Sequence, residues 1–233
     1  ALKTLFIMVT GERQYEKVIS AAELAPNDYV LKPFAADTLH RRIVRAVLKR
    51  AAFMPAYRRI EARDTPGALR KCVEAERRFP HYQIDFMRLR AELHVAVGEA
   101  DEAEAIYTDV LARHAAPWAR LGLAKALFMK QQYSQAEVLL VGLVEENENF
   151  LDAYDWLART REAADQLEPA RDVLLRATAV SPNRLGRLRH LGNIALDLGD
   201  AGTAETVLSE VVRKGKYSDF RDPADHLSLM HAQ

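Results

Sequence analysis

The chain has 233 residues, 49% of them hydrophobic, and its 33 Lys and Arg balance 33 Asp and Glu. That size supports one large domain or two small ones, each with its own core. The neutral balance removes the electrostatic case for a nucleic-acid or polyanion binder, leaving only a local patch as a route to one.

Gly and Pro are sparse, at 10 and 9, so helix is the expected bulk. A single cysteine, Cys72, cannot form an internal disulfide or a zinc pair, which fits a reducing, cytoplasmic compartment. No apolar run approaches the ~18 residues needed to span a bilayer, so no membrane role is expected. The opening "ALKTLFIMVTGERQ" has too short an apolar core for a signal peptide and lacks a small-residue cleavage site. The chain begins without Met and reads as a fragment, or as a chain whose earlier residues are not included.

In chain order, residues 4–10, "TLFIMVT", predict a parallel strand buried on both faces. Residues 12–24, "ERQYEKVISAAEL", predict an amphipathic helix that Pro26 and Asn27 break. "DYVL" predicts a second buried strand, ending in Lys32-Pro33. "AADTLHRRIVRAVLKR" predicts a second helix, capped by Asp37 or Thr38. Strand, helix, strand, helix within about 50 residues is part of an open α/β fold, whose ligands sit beyond the strands' carboxyl ends. Thr10 and Lys32 occupy those ends.

"FIMVTGE" and, one predicted helix later, "YVLKPF" resemble the second half of a response-regulator receiver domain, in the spacing from Thr10 to Lys32 as well as in the residues. The resemblance implies that Thr10 and Lys32 flank a phosphorylated aspartate, that Pro33 follows a cis bond, and that Tyr29 changes rotamer with the phosphorylation state. An ammonium and a hydroxyl stabilise an acyl phosphate, and hydroxyl movement opens space for an aromatic ring. The family's Mg²⁺-holding acidic pair and acceptor aspartate have no counterpart here. None of Asp28, Asp37 or Glu12 matches them, so Mg²⁺ is expected only with the missing half. A half sheet leaves an open strand edge, which a second copy of the chain could cover in a homodimer.

From about residue 50 the sequence repeats. "PGALRKC", "DEAEAIY", "SQAEVLL", "EPARDVL" and "GTAETVL" place alanines at Ala68, Ala103, Ala136, Ala170 and Ala204, at spacings of 35, 33, 34 and 34. Four residues on stand Cys72, Tyr107, Leu140, Leu174 and Leu208, and seven on stand Ala75, Val110, Leu143, Ala177 and Val211: one helical stripe. Twelve residues before each alanine is another small residue, Ala56, Ala91, Ala124, Ala158 or Gly192, which lets a second helix approach closely. Turn signals around Gly98 and Gly199 separate the two helices, and Pro80 and Pro182 follow the second. Pro55 is expected to interrupt the first helix of the first unit.

This pattern resembles the tetratricopeptide (TPR) repeat family. The predicted fold is therefore mainly α, a TPR-like helix-turn-helix superhelix preceded by a partial α/β (β-α-β-α) receiver fragment. The expected divisions are residues 1–50 for the fragment, 51–216 for four to five repeats, and 217–233 for a capping helix with Asp222 as N-cap and Pro223 at the first helical position.

The resemblance implies a peptide or protein partner in a groove lined by the first helix of each unit. Placed by the alanines, the groove candidates are Arg88, Glu92, Trp118, Leu121, Lys125, Asp155, Trp156, Arg159, Arg189 and Asn193. Trp118 and Trp156 suit interface anchors and equally suit filling of the inter-repeat core. Lys125, Arg159 and Arg189 read as a basic track for an acidic tail or as a solvated face. The family's paired Lys and Asn carboxylate clamp is not reproduced. The seven histidines show no metal-ligand pair, and no Gly-rich phosphate loop or nucleophile elbow appears, so no enzyme is expected.

The function these features predict is a two-component signalling adaptor. A sensor histidine kinase phosphorylates the complete receiver, which controls a TPR array that binds a partner protein. The alternatives are a constitutive TPR scaffold with a degenerate receiver, or a nucleic-acid-binding response regulator, which the charge balance does not favour.

Overall fold

The computed structural model describes residues 4–11, 28–216 and 222–233. The helix expected over residues 12–24 lies outside them, as does the side chain of Tyr29. Strands β1 (Ile7–Thr10) and β2 (Asp28–Leu31) pair in parallel, with Ile7 opposite Asp28 and Thr10 opposite Leu31. They form the whole sheet among the described residues.

The expectation of strands buried on both faces is not met. Val30 is buried at 4% exposure, but Val9 is 37% and Leu31 50% exposed. The cause is thin cover: among the described residues one helix lies against β2, and two strands have too little surface to wrap a core. The described residues therefore show a small parallel pair and one helix, not a clear receiver sheet.

That helix is α1 (Ala36–Glu61). It runs unbroken through residue 50 and through Pro55, where an interruption was expected. A proline removes an N–H and frees the carbonyl four residues earlier. Here Pro55 and Ala51 both lie on the exposed side, so that carbonyl faces solvent rather than the core. Ala35, with no side-chain cap bond, occupies the N-cap that Asp37 or Thr38 was expected to fill. Asp37 sits instead in the first turn, where the helix dipole favours a carboxylate.

Beyond α1 the chain continues as helices α2 (Thr65–Arg78), α3 (Gln83–Val97), α4 (Ala100–Leu111), α5 (Pro117–Met129), α6 (Tyr133–Glu146), α7 (Leu151–Ala163), α8 (Leu167–Val180), α9 (Leu185–Asp197), α10 (Ala201–Gly215) and α11 (Ala224–Ala232). A 3₁₀ turn, Pro80–Tyr82, leads into α3. The described residues fall into two compact units, residues 4–11 with 28–130, and residues 131–216 with 222–233.

The repeat alanines explain the packing. Ala68, Ala103, Ala136, Ala170 and Ala204 are all 0% exposed, and Ala56, Ala91, Ala124 and Ala158 are buried as well. Where a bulky side chain comes from one helix, the facing position is empty. A Cβ on Gly122 of α5 would lie 2.2 Å from the ring of Tyr107 in α4. In the first unit, Phe53 of α1 stacks on Phe86 of α3 at 3.9 Å, above Cys72 and Ala75 of α2. Burying each large side chain contributes about 1.5–3 kcal/mol before entropy is counted.

The turns inside the helix pairs share one backbone signature. Arg63, Gly98, Gln131, Asp165 and Gly199 have φ of 57°, 86°, 59°, 59° and 72°. Each stands five residues before its repeat alanine. The left-handed residue closes the helix before it. Glycine adopts it freely, which is why only Gly98 and Gly199 announce it in the sequence.

In the second unit α11 packs on α10 and α9, with Ala232 beside Ala195, Ala204 and Leu208. Asp222 accepts a hydrogen bond from the Ala224 amide at 2.9 Å, and Pro223 holds the N-cap position. The N-cap expected at Asp222 is therefore at Pro223, and no side chain caps this helix; the Asp222 contact is a local turn before it.

Candidate functional site

The first unit contains a cleft of ≈ 420 Å³ between α1 and α3, the first helices of the first two repeats. Phe53 and Leu89 give it an apolar floor, and Thr4 and Leu5, just before β1, close one side. Its polar wall is made of Lys49, Arg50, Asp85, Arg88 and Glu92. Lys49 donates to Asp85 at 2.6 Å across the two helices, and Arg88 donates to Glu92 at 2.8 Å along α3. These pairs are open to water, with side chains 44% and 41%, and 51% and 51%, exposed. Tyr57 also lines the cleft. Burial raises its pKa, and the Glu92 carboxylate adds to the rise, so it stays a neutral donor at ordinary pH.

Of the residues expected in a groove, Arg88 and Glu92 are in this cleft. Trp118 lies next to it, half-buried, with its ring edge-on to Tyr107 at 6.4 Å and the Arg88 guanidinium over it at 5.2 Å. Trp118 is thus both packed and contacted by a cleft residue. Leu121 is 6% exposed and belongs to the core. Lys125 is half-buried.

In the second unit Trp156 is half-buried, with Arg159 over its ring at 5.1 Å, and Asn193 is exposed. Asp155 accepts two hydrogen bonds from Arg187 of α9, at 2.7 and 3.0 Å. Arg189 of α9 donates twice to Asp225 of α11, at 2.5 and 2.8 Å. Each ion pair joins a helix to the one two further along the chain, α7 to α9 and α9 to α11. The charges of Asp155 and Arg189 are therefore engaged within the fold rather than presented singly.

Lys49, Arg50, Phe53, Tyr57 and Asp85 were not anticipated. For Phe53 and Tyr57 a signal was present. Phe53 and Tyr57 stand at the same offsets from the repeat alanine Ala68 as Arg88 and Glu92 do from Ala103. The expected break at Pro55 hid them.

At the strand ends, the Lys32 amide donates to the Thr10 carbonyl at 2.8 Å, and the Lys32–Pro33 bond is cis. Thr10 and Lys32 are thus adjacent. Among the described residues no group of three or more His, Cys, Asp or Glu side chains could hold a metal ion, and no helix is long and apolar enough to cross a membrane.

No family model matches the chain, and no curated protein matches it. Solved structures do. A crystal structure of a thermophilic TPR protein in Thermus thermophilus aligns at TM-score 0.63 and 13% identity, covering 78% of this chain and 98% of that one. MamA, residues 41 to the end, from Desulfovibrio magneticus aligns at TM-score 0.60 and 20% identity, covering 73% and 96%. YrrB, described as a TPR protein with an unusual peptide-binding site, aligns at TM-score 0.54 and 17% identity, covering 78% and 89%. At these identities the likeness is one of fold: the helical part of the chain is a TPR-like repeat.

Proposed function

We propose that the chain is a protein-interaction scaffold that holds an extended peptide segment of a partner in the cleft between α1 and α3. The observation that carries this is the cleft's composition: an apolar floor for an anchor side chain, ringed by Lys49, Arg50, Asp85, Arg88 and Glu92. Few, placed polar groups around an apolar concavity are the ordinary make-up of a ligand site. The TPR-like fold supports the reading, and the peptide-binding site in YrrB's description supports it by analogy. The scaffold has no catalytic step and needs no cofactor, and a cytoplasmic setting suits its lone, reduced Cys72.

The test is an array of short immobilised peptides, probed with the wild-type chain and with Ala46→Trp. Ala46 lines the cleft on a half-buried face of α1, so an indole there fills the space. A set of bound peptides that Ala46→Trp loses, with helical circular dichroism retained, is the expected result. Peptide binding indifferent to Ala46→Trp would remove the cleft from the proposal.

A second reading adds receiver control to the scaffold. It rests on the parallel pairing of β1 and β2, which brings Thr10 and Lys32 together. The repeat proteins compared above lend it nothing. Incubating the full-length protein with acetyl phosphate and Mg²⁺, and following intact mass beside Lys32→Ala and Thr10→Ala, tests it. No gain of a phosphoryl group on an intact fold leaves the constitutive scaffold.

A further inference from the structure

The balance of 33 cations and 33 anions conceals a segregation. Residues 1–130 hold 22 Lys and Arg against 16 Asp and Glu, a surplus of 6 positive charges. Residues 131–233 hold 11 against 17, a surplus of 6 negative charges. Within the first unit the excess is densest where the cleft is built: from α1 through α3, residues 36–97, there are 14 Lys and Arg against 7 Asp and Glu.

Building on the reading of the cleft as a peptide site, we infer that its partner is an acidic peptide segment carrying one large apolar anchor. Three cations, Lys49, Arg50 and Arg88, face two carboxylates, Asp85 and Glu92, in the lining. The Lys49–Asp85 and Arg88–Glu92 pairs are solvated, and such pairs are worth about 0–1 kcal/mol. An incoming carboxylate therefore replaces Asp85 or Glu92 at little cost, and a bidentate contact to Arg50 or Arg88 is stronger than either pair. The surplus around the cleft raises the encounter rate with a negative partner over a range of about 10 Å at 0.1 M salt. Phe53 and Leu89 take the anchor, and ≈ 420 Å³ accommodates one large side chain with its backbone.

A nucleic acid would answer the same surplus. The apolar floor and the two carboxylates in the lining disfavour a continuous phosphate chain and favour a peptide, where acidic and apolar residues alternate.

The experiment is the same kind of peptide array, sorted by net charge, with the best binders measured in solution by fluorescence anisotropy at about 50 and 500 mM NaCl. The variants are Arg50→Glu/Arg88→Glu and Ala46→Trp, each checked for retained helicity. The expected result is a bound set biased to net negative charge, binding at least tenfold weaker at high salt, and a tenfold or greater loss in Arg50→Glu/Arg88→Glu. Binding that Ala46→Trp abolishes but that shows no charge bias, or a positive one, overturns this inference and leaves the peptide scaffold standing. Failure of every peptide to bind overturns both. A single-stranded oligo-dT probe binding more tightly than any peptide overturns the inference in favour of a nucleic acid.

Discussion

Replacing Asp155 with alanine tests the account of the second unit most directly. Arg187 of α9 has a side chain 0% exposed, and its guanidinium gives two hydrogen bonds to Asp155 of α7. It also donates to the Ser181 carbonyl at 3.4 Å. Asp155→Ala leaves a buried cation without the carboxylate that takes its two short bonds. Two lost charge-assisted hydrogen bonds, at about 1.5–3 kcal/mol each, give roughly 3–6 kcal/mol, in line with the ~3–5 kcal/mol typical when a buried pair loses one partner. In a chain of this length that is a fall in Tm of roughly 6–20 °C, read by far-UV circular dichroism. Asp155→Ala/Arg187→Met removes both charges and should recover most of the loss, because the isolated cation is the source of the cost. A single variant within about 1 kcal/mol of wild type, or a double variant as unstable as the single, would refute the reasoning. Peptide binding in the first unit's cleft should survive in the folded single variant.

Gly122→Ala should destabilise by about 1–3 kcal/mol despite alanine's better helix propensity, since its Cβ would meet the Tyr107 ring at 2.2 Å; Tyr107→Leu in the same chain should reverse part of the loss in urea unfolding. Arg63→Gly should leave stability unchanged or raise it by up to about 1 kcal/mol, because φ of 57° costs an L-residue what it does not cost glycine; a lower Tm would show that the Arg63 side chain matters. The Cys72 thiol is pushed up to about 12 by burial, so Ellman's reagent at pH 8 should label it only as fast as the chain opens. Its raised pKa implies a contribution that is whole below about pH 9 and is lost as pH climbs towards 12, so Cys72→Ala should flatten the alkaline limb of the Tm-against-pH curve. Asp200, whose carboxylate accepts from Thr203 at the start of α10, has its pKa lowered by that bond; the support it gives is present above the usual carboxylate pKa and disappears as pH falls below about 4, so Asp200→Asn should flatten the acid limb of the Tm-against-pH curve.

Much of the helical part was legible because close packing writes itself in small residues. Ala103 and Ala170 are fully buried, and the regular recurrence of such small residues is visible without coordinates. The strands were legible as apolar runs, but their burial was not, since cover depends on what packs against them. Pro55 misled because the rule against proline in helices states a cost of about 3 kcal/mol, which the burial of Ala52, Phe53 and Ala56 on the other face outweighs. Asp155 and Arg189 were read as groove residues from their place on a helix. An offset along one helix does not reveal that Arg187 or Asp225, each a whole repeat further along the chain, will arrive with the opposite charge. The cleft's Lys49 and Asp85 pair was hidden for the same reason.

The left-handed residue at 63, 98, 131, 165 and 199 has a consequence for how such a chain can be edited. Its five occupants are Arg, Gly, Gln, Asp and Gly, so the bend does not depend on one side chain. Each hairpin therefore hands the chain on with the same backbone torsion at the same phase. A block cut from one such bend to the next begins and ends in matching geometry. Joining Arg63 to the residue after Gly98, or duplicating the stretch between Asp165 and Gly199, creates no junction that the molecule does not already contain. The chain is punctuated at intervals where recombination is conformationally silent, and what such an edit changes is the side chains that meet across the seam.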